Sequence, residues 1–390
     1  MVFMASIERY TLGSGDLRYR VRYRKPDNKQ TDKSGFRTKA AAQQWLQEVE
    51  VAKRSGMFVT TAAMKTPMRL LINEYLSLSV GLARNTIAQR RSQAQNWVLP
   101  KWGDWAVGRV TKQAVEQWVE ELRKADAGDE TIRKSYQLLV SVMHRAVDQN
   151  LINRNPVKGV RMPRTVRNKH PYLTYDDVAE LAQHMDPRYR LLVIFLSVTG
   201  LRFGEAAALR VESINLSARL VSVDEAVTEV QGVIEFGLPK DHERRTLAYP
   251  AFLGEELRAA TARLPAGALV FTSPEGHPLR HVTWRRRYWR PAIERLNSAR
   301  RELAAENGVE ARAFPKVTPH DLRHTAASLA VREGASIVGV QRMLGHADAK
   351  MTLNTYADLF TSDLTAVATV LNEAALSSNL ARVLNGDGLE

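Results

Sequence analysis

The stretch KGVRMPRTVRNKHPYLT, residues 158–174, is the strongest constraint on how this chain can fold. Two prolines, with Lys or Arg at short intervals, suit neither a buried strand nor a helix with an apolar face. The segment reads as a basic interdomain linker, so separate cores must form before and after it. With 390 residues, two or three domains are expected, because single cores stop growing near ~250–300 residues.

The hydrophobic pattern differs along the chain. LRYRVRYR, residues 17–24, alternates strictly, with Arg18, Arg20, Arg22 and Arg24 on one face and Leu17, Tyr19, Val21 and Tyr23 on the other. That period of two is a half-buried strand. KPDNKQ is a turn, TDKSGFRT a further strand, and Thr38 caps a helix running to Gly56. Its Trp45, Leu46, Val49 and Ala52 fall on one stripe that can cover the tyrosine face and leave the arginines outward. Residues 1–56 are therefore expected to form a small sheet backed by one helix. Residues 66–160 read as four helices. The second is expected to stop at Pro100, the third to run from a Thr111 cap to Gly128, and the fourth to be broken by Pro156. From Tyr172 to 390 the pattern is mixed. Two helices precede ARLVSVDEAVTEVQGVIEFGLPKDHERRTLAYP, which alternates like two or three antiparallel strands, and helices return from Leu253. The fold class expected is multidomain, mainly α with small β-sheets.

Charge is distributed unevenly. The net charge is +14, of which residues 1–62 carry +6, residues 63–167 carry +9 and residues 168–390 carry −1. A polyanion would be gripped by the N-terminal part, which makes nucleic acid the first partner to consider and an acidic membrane surface the second. A membrane-lying basic segment needs an apolar helix face, whereas LRYRVRYR has strand periodicity. The longest apolar run, LLVIFLSVTGL, is too short to span a bilayer, and Glu8 and Arg9 argue against a secretory leader. Zero cysteines exclude disulfides, thiolate metal ligands and a cysteine nucleophile, and fit a cytoplasmic protein.

Four short boxes carry the chemistry. TPHDLRHTAASLAVREG places Thr318 as an N-cap, Pro319 next and Asp321 closing a capping box, so His320 is expected in the first helical turn with Arg323 on its face. A histidine beside an arginine at a helix start can clamp a phosphate. His320 and His324 at i and i+4 also resemble a zincin pair, but Arg323 one turn away disfavours a cation there, and His324 is read as a packed helix residue. TGLRFGEAAALR supplies Arg202 and Glu205, GLPKDHERR places Lys240 on an expected hairpin tip, and LGHADAKMTLNTYADL supplies His346 and Tyr356.

In order and spacing, Arg202, Lys240, His320, Arg323, His346 and Tyr356 resemble the six active-site residues of the tyrosine recombinases, specifically the phage-type integrases. The likeness extends along the chain. Residues 1–56 resemble that family's arm-binding domain, residues 66–160 its core-binding domain and residues 172–390 its catalytic domain with a C-terminal tail helix. One departure is DHERR after Lys240, where the family often has Thr and a small residue; no other lysine lies between Lys169 and Lys316.

The resemblance implies that Tyr356 attacks a phosphodiester and that Arg202 and Arg323 hold its non-bridging oxygens. His320 would be the base, His346 a hydrogen-bond donor, Lys240 the acid for the leaving 5′-oxygen and Glu205 an orienting group. The 3′-phosphotyrosyl link stores the bond energy, so no cofactor and no metal are implied, and no P-loop occurs in the sequence. Implied partners are double-stranded DNA at core-type and arm-type sites, the latter met by Arg18, Arg20, Arg22 and Arg24, and three further copies in a homotetramer. A host DNA-bending protein and an excisionase would be accessory. A type IB topoisomerase shares the chemistry, and a catalytically silent DNA-binding regulator would share the fold; both stay open at this point. After Tyr356, Leu364, Val367, Val370, Leu371 and Leu376 form an apolar helical stripe expected to dock on a neighbouring protomer.

Overall fold

A computed structural model describes residues 5–26, 28–54, 58–78, 80–163, 171–239 and 244–345, with 348, 352, 353, 356, 369, 371–373 and 376 beyond. The chain divides into two compact units, residues 1–167 and 168–390. Among the described residues no helix is long and apolar enough to cross a membrane.

The first unit opens with an antiparallel sheet of β1 (Ser6–Thr11), β2 (Leu17–Arg24) and β3 (Gln30–Phe36), with β2 central. Helix α1 (Lys39–Arg54) follows, its start held by the Thr38 hydroxyl, which accepts from Ala41 N at 3.1 Å. Val21, Ala42 and Val49 are buried, and the Trp45 ring meets Tyr23 edge-on at 5.2 Å. The expected stripe therefore covers the apolar side of β2. Next come α2 (Thr61–Met64), α3 (Met68–Ser77), α4 (Arg84–Gln93), α5 (Leu99–Trp102), α6 (Lys112–Lys124) and α7 (Asp129–Asp148). Their core holds Met68, Ile72, Trp102, Trp118, Leu139 and Met143.

Three helix ends differ from expectation, one being α7, which ends at Asp148, ahead of a left-handed Asn150 (φ 55°), rather than at Pro156. Pro100 does not stop its helix. Ahead of it the backbone winds into a π-turn over Ala94–Val98, with Leu99 N–H donating to Ala94 O, and this wider coil makes room for a ring with no N–H. The same device recurs before Pro291, where Arg285–Trp289 is π-wound. Helix α6 ends at Lys124 rather than Gly128, because Asp126 turns left-handed (φ 56°) and Gly128 instead caps the start of α7.

The second unit begins with α8 (Tyr175–His184), started by a reciprocal capping box between Thr174 and Asp177. Then come α9 (Pro187–Thr199) and α10 (Phe203–Ala207). Strands β4 (Ile214–Asn215), β5 (Leu220–Val223) and β8 (Arg245–Ala248) form one antiparallel sheet, and β6 (Ala226–Val230) pairs with β7 (Val233–Gly237) in another. There are thus more strands than the two or three expected. The tight turn is Gln231–Gly232, both left-handed, between β6 and β7. Strands β7 and β8 belong to different sheets, and Lys240, expected on a hairpin tip, lies outside the described residues. Helices α11 (Gly254–Thr261), α12 (His281–Trp284), α13 (Arg290–Glu306), α14 (Asp321–Arg332) and α15 (Ile337–Leu344) follow. The core gathers α8, α9, α13 and the start of α14 around Leu192, Phe195, Trp284 and Trp289. Of the expected C-terminal stripe, Leu371 and Leu376 are exposed and helical. Leu364, Val367 and Val370 lie outside the described residues.

Candidate active site

The turn after α9 sets the first arginine. Gly200 ends the helix in the left-handed region (φ 67°), where a side chain is strained, and a Cβ there would stand 2.8 Å from Leu344 Cδ2, which would have to shift. Arg202 follows as the residue before α10, and Glu205 in that helix's first turn reaches back to it. Glu205 Oε2 accepts from Arg202 N at 2.9 Å and Oε1 from Arg202 Nη1 at 3.0 Å. A second arginine, Arg245 at the start of β8, grips the same carboxylate with both terminal nitrogens, Nη1 to Oε1 at 3.0 Å and Nη2 to Oε2 at 2.6 Å. The Glu205 side chain is 1% exposed. Burial alone would raise its pKa, but the hydrogen bonds and charge of Arg245, with those of Arg202, outweigh it and hold the carboxyl below its usual range.

Arg323 is the second buried anchor. Its Nη1 donates to Gly200 O at 2.7 Å and its Nη2 to Leu344 O at 2.6 Å, so one guanidinium ties the end of α9 to the end of α15. Burial, then the neighbouring Arg202 charge, pull its pKa down to about 10, with Glu205 opposing; it stays charged at neutral pH. The start of α14 differs in detail from expectation. The helix begins at Asp321, and His320 is its N-cap rather than a first-turn residue. Half of the expected box forms: Thr318 N and Oγ1 both donate to Asp321 Oδ2 at 2.7 Å. The helix itself starts three residues after Thr318.

Tyr356 is 1% exposed, and its hydroxyl lies 2.9 Å from His324 Nδ1. Burial pushes the phenol pKa well above 10, Arg323 lowers it and Tyr172, whose ring is 6.3 Å away, raises it further. His324 is thus not simply a packing residue, as its helix position suggested; it is the tyrosine's hydrogen-bond partner. The exposed His320 has its ring 5.1 Å from that of His324, edge to face, so three side chains run from surface to buried hydroxyl. Sequence reasoning also missed Arg245. The available signal was Glu205 within the apolar FGEAAAL run, since a carboxylate buried there needs a cation. That signal does not say which cation. His346, like Lys240, lies outside the described residues.

In the first unit, Arg18, Arg20, Arg22 and Arg24 alternate with the buried face of β2 and so point away from α1. Glu8, opposite Arg20 on β1, pairs with Arg20 at 3.0 Å and Arg22 at 3.1 Å, and Asp16 lies 3.6 Å from Arg18, so the basic face carries internal counter-charges. Between the helices of this unit lies a groove lined by Gln89, Arg90, Gln93, Lys134, Gln137 and Lys158 among others, cationic and rich in amides.

Residues 171–362 match the sequence profile of the phage integrase family. The chain is 28% identical over 289 residues to the protein named as the phiRv2 prophage integrase of Mycobacterium tuberculosis, covering 70% of each. It is 24% identical over 305 residues to the tyrosine recombinase XerD of Staphylococcus aureus, covering 73% of this chain and 92% of that one. Among solved structures, the Tn1549 transposon integrase in complex with transposon right end DNA aligns with a TM-score of 0.64 at 19% identity, over 78% of this chain and all of that one. A lambda integrase dimer bound to a core site aligns with a TM-score of 0.57 at 18% identity, over 89% and 93%.

Proposed function

The chain belongs to the phage integrase family of tyrosine recombinases and is a site-specific recombinase acting on DNA; from that premise we propose that Tyr356 is its nucleophile, served by Arg202, Arg323, His320 and His324. The observation that carries this is the 2.9 Å contact between the Tyr356 hydroxyl and His324 Nδ1, beside the buried Arg323. In the reaction the Tyr356 oxygen bonds to the scissile phosphorus while the bond to the 5′-oxygen breaks. The phenol proton leaves through the histidine pair, and His320 is the member open to solvent. Arg202 and Arg323 neutralise the non-bridging oxygens as charge builds on them, a task suited to a permanent, planar cation. Lys240 supplies the proton to the 5′-oxygen, and His346 donates a hydrogen bond to the phosphate. The reverse attack by a 5′-hydroxyl rejoins strands without an external energy source. With Tyr356 as buried as this, a phosphate reaches it only after the tyrosine moves, so DNA binding must precede attack.

Three parts divide the work. Residues 1–56 bind arm-type DNA through Arg18, Arg20, Arg22 and Arg24, residues 66–160 bind the core site, and residues 172–390 cut and rejoin. Assembly is a homotetramer on two duplexes, as the lambda integrase forms on a Holliday junction, with a host DNA-bending protein and an excisionase as accessory partners. The test is Tyr356→Phe: duplex binding persists, but no protein–DNA adduct survives denaturation. An adduct in that variant would move the nucleophile elsewhere.

A further inference from the structure

We propose that Arg245 is a positioning residue for strand transfer: it fixes the Glu205 carboxylate and, through it, the guanidinium of Arg202 at the scissile phosphate. The inference rests on the strand-transfer reading above and deepens it.

The geometry is asymmetric. Arg245 presents its full fork to Glu205, one terminal nitrogen on each oxygen, whereas Arg202 meets the carboxylate through Nη1 and its own backbone N–H. A bidentate fork sets the plane of a carboxylate. The Arg245 fork therefore decides where Oε1 points, and Oε1 decides where Arg202 Nη1 sits. Charge argues the same way. Glu205 with Arg202 alone is a neutral pair, and a free carboxylate would draw the Arg202 fork onto itself. With Arg245 added, the three groups sum to +1, and that surplus is what a phosphate needs.

Arg245 is also wedged in place. Its side chain is 12% exposed. Its aliphatic stem lies over Gly345, where a Cβ would stand 2.7 Å from Arg245 Cδ. Gly345 caps α15 in the left-handed region (φ 64°), directly after Leu344, whose carbonyl receives Arg323 Nη2. Arg245 thus abuts the supports of both phosphate-binding arginines, with both of its own terminal nitrogens on Glu205.

The test uses the full chain and a nicked duplex selected from a random-sequence pool by binding to it, with covalent adduct as the readout. Arg245→Ala should form adduct about 10²-fold more slowly, the order expected when a reacting group is misplaced by about 1 Å, with duplex affinity and its salt dependence unchanged. Arg245→Lys keeps the charge but not the fork and should recover only part of the rate. Because Arg245 acts through Glu205, the double variant with Glu205→Gln should be no slower than the slower single variant. A duplex with methyl in place of one non-bridging oxygen carries no charge at that phosphate and should shrink the Arg245→Ala defect. If Arg245→Ala does not fold, Arg245→Lys on the two duplexes gives the same comparison. Wild-type rate in both Arg245 variants overturns the proposal, as do losses that multiply in the double variant. A fall in affinity and salt dependence alongside rate makes Arg245 a DNA contact and also overturns it. Failure of the wild-type chain to form adduct, or adduct with Tyr356→Phe, would instead remove the strand-transfer reading.

Discussion

Glu205→Gln isolates the charge at the centre of the site while keeping its shape. Each carboxylate oxygen accepts two N–H groups: Oε1 from Arg202 Nη1 and Arg245 Nη1, Oε2 from Arg202 N and Arg245 Nη2. A glutamine amide must put its NH₂ where one oxygen was, so two donors face a donor whichever way it turns. Losing two charge-assisted hydrogen bonds at about 1.5 kcal/mol each gives about 3 kcal/mol. For a unit of this size, 1 kcal/mol shifts Tm by roughly 2–4 °C, so a fall of about 6–12 °C is expected near neutral pH. The pH dependence carries the sign. The folded pKa of Glu205 lies below its unfolded value, so its contribution is fully present above the unfolded pKa and is lost as pH falls through the folded one. The gap between wild type and Glu205→Gln should therefore hold at neutral pH and narrow below about pH 4. Calorimetric scans across that range decide the matter. Equal Tm at neutral pH would show that the two arginines do not depend on the charge, and a gap undiminished in acid would assign the loss to packing.

Ultraviolet titration of the DNA-free chain should show no extra phenolate in wild type over Tyr356→Phe near pH ~10.5, where an ordinary tyrosine is mostly ionised; an excess would place the hydroxyl in solvent. His324→Ala should slow adduct formation by about 10²-fold without weakening duplex binding, and an unchanged rate would reduce His324 to a packing role. Glu8→Gln removes the counter-charge shared by Arg20 and Arg22, so duplex affinity should rise and its salt dependence steepen; no change would mean that this face meets no DNA. Lys240→Ala should cut ordinary DNA about 10² to 10⁴-fold more slowly and recover when sulfur replaces the bridging 5′-oxygen, whereas Arg202→Ala should not recover. Rescue of a His320 variant instead would reassign the acid.

Much of this protein is decided by short-range chemistry and is therefore legible residue by residue. Strict alternation marks Leu17–Arg24 as a strand, and β2 has those bounds. Thr38, Thr111 and Thr174 each cap a helix through hydrogen bonds to residues three positions on. The boxes holding Arg202, His320, Arg323 and Tyr356 stand out by their resemblance to those of the tyrosine recombinases. What depended on tertiary structure involves partners far apart in sequence or a compromise between local rules. Pro100 and Pro291 look like helix stops, but the coil runs on past each, with Trp102 buried just after the first and Trp289 just before the second, and a π-turn absorbs the missing N–H. Gly345 follows a helix as many glycines do, yet only the packed fold shows the Arg245 stem across it. The partner of Glu205 comes from 40 residues away and that of Tyr356 from 32. No local period encodes either pairing, because a buried charge or hydroxyl specifies only that something must answer it, and the fold decides what does.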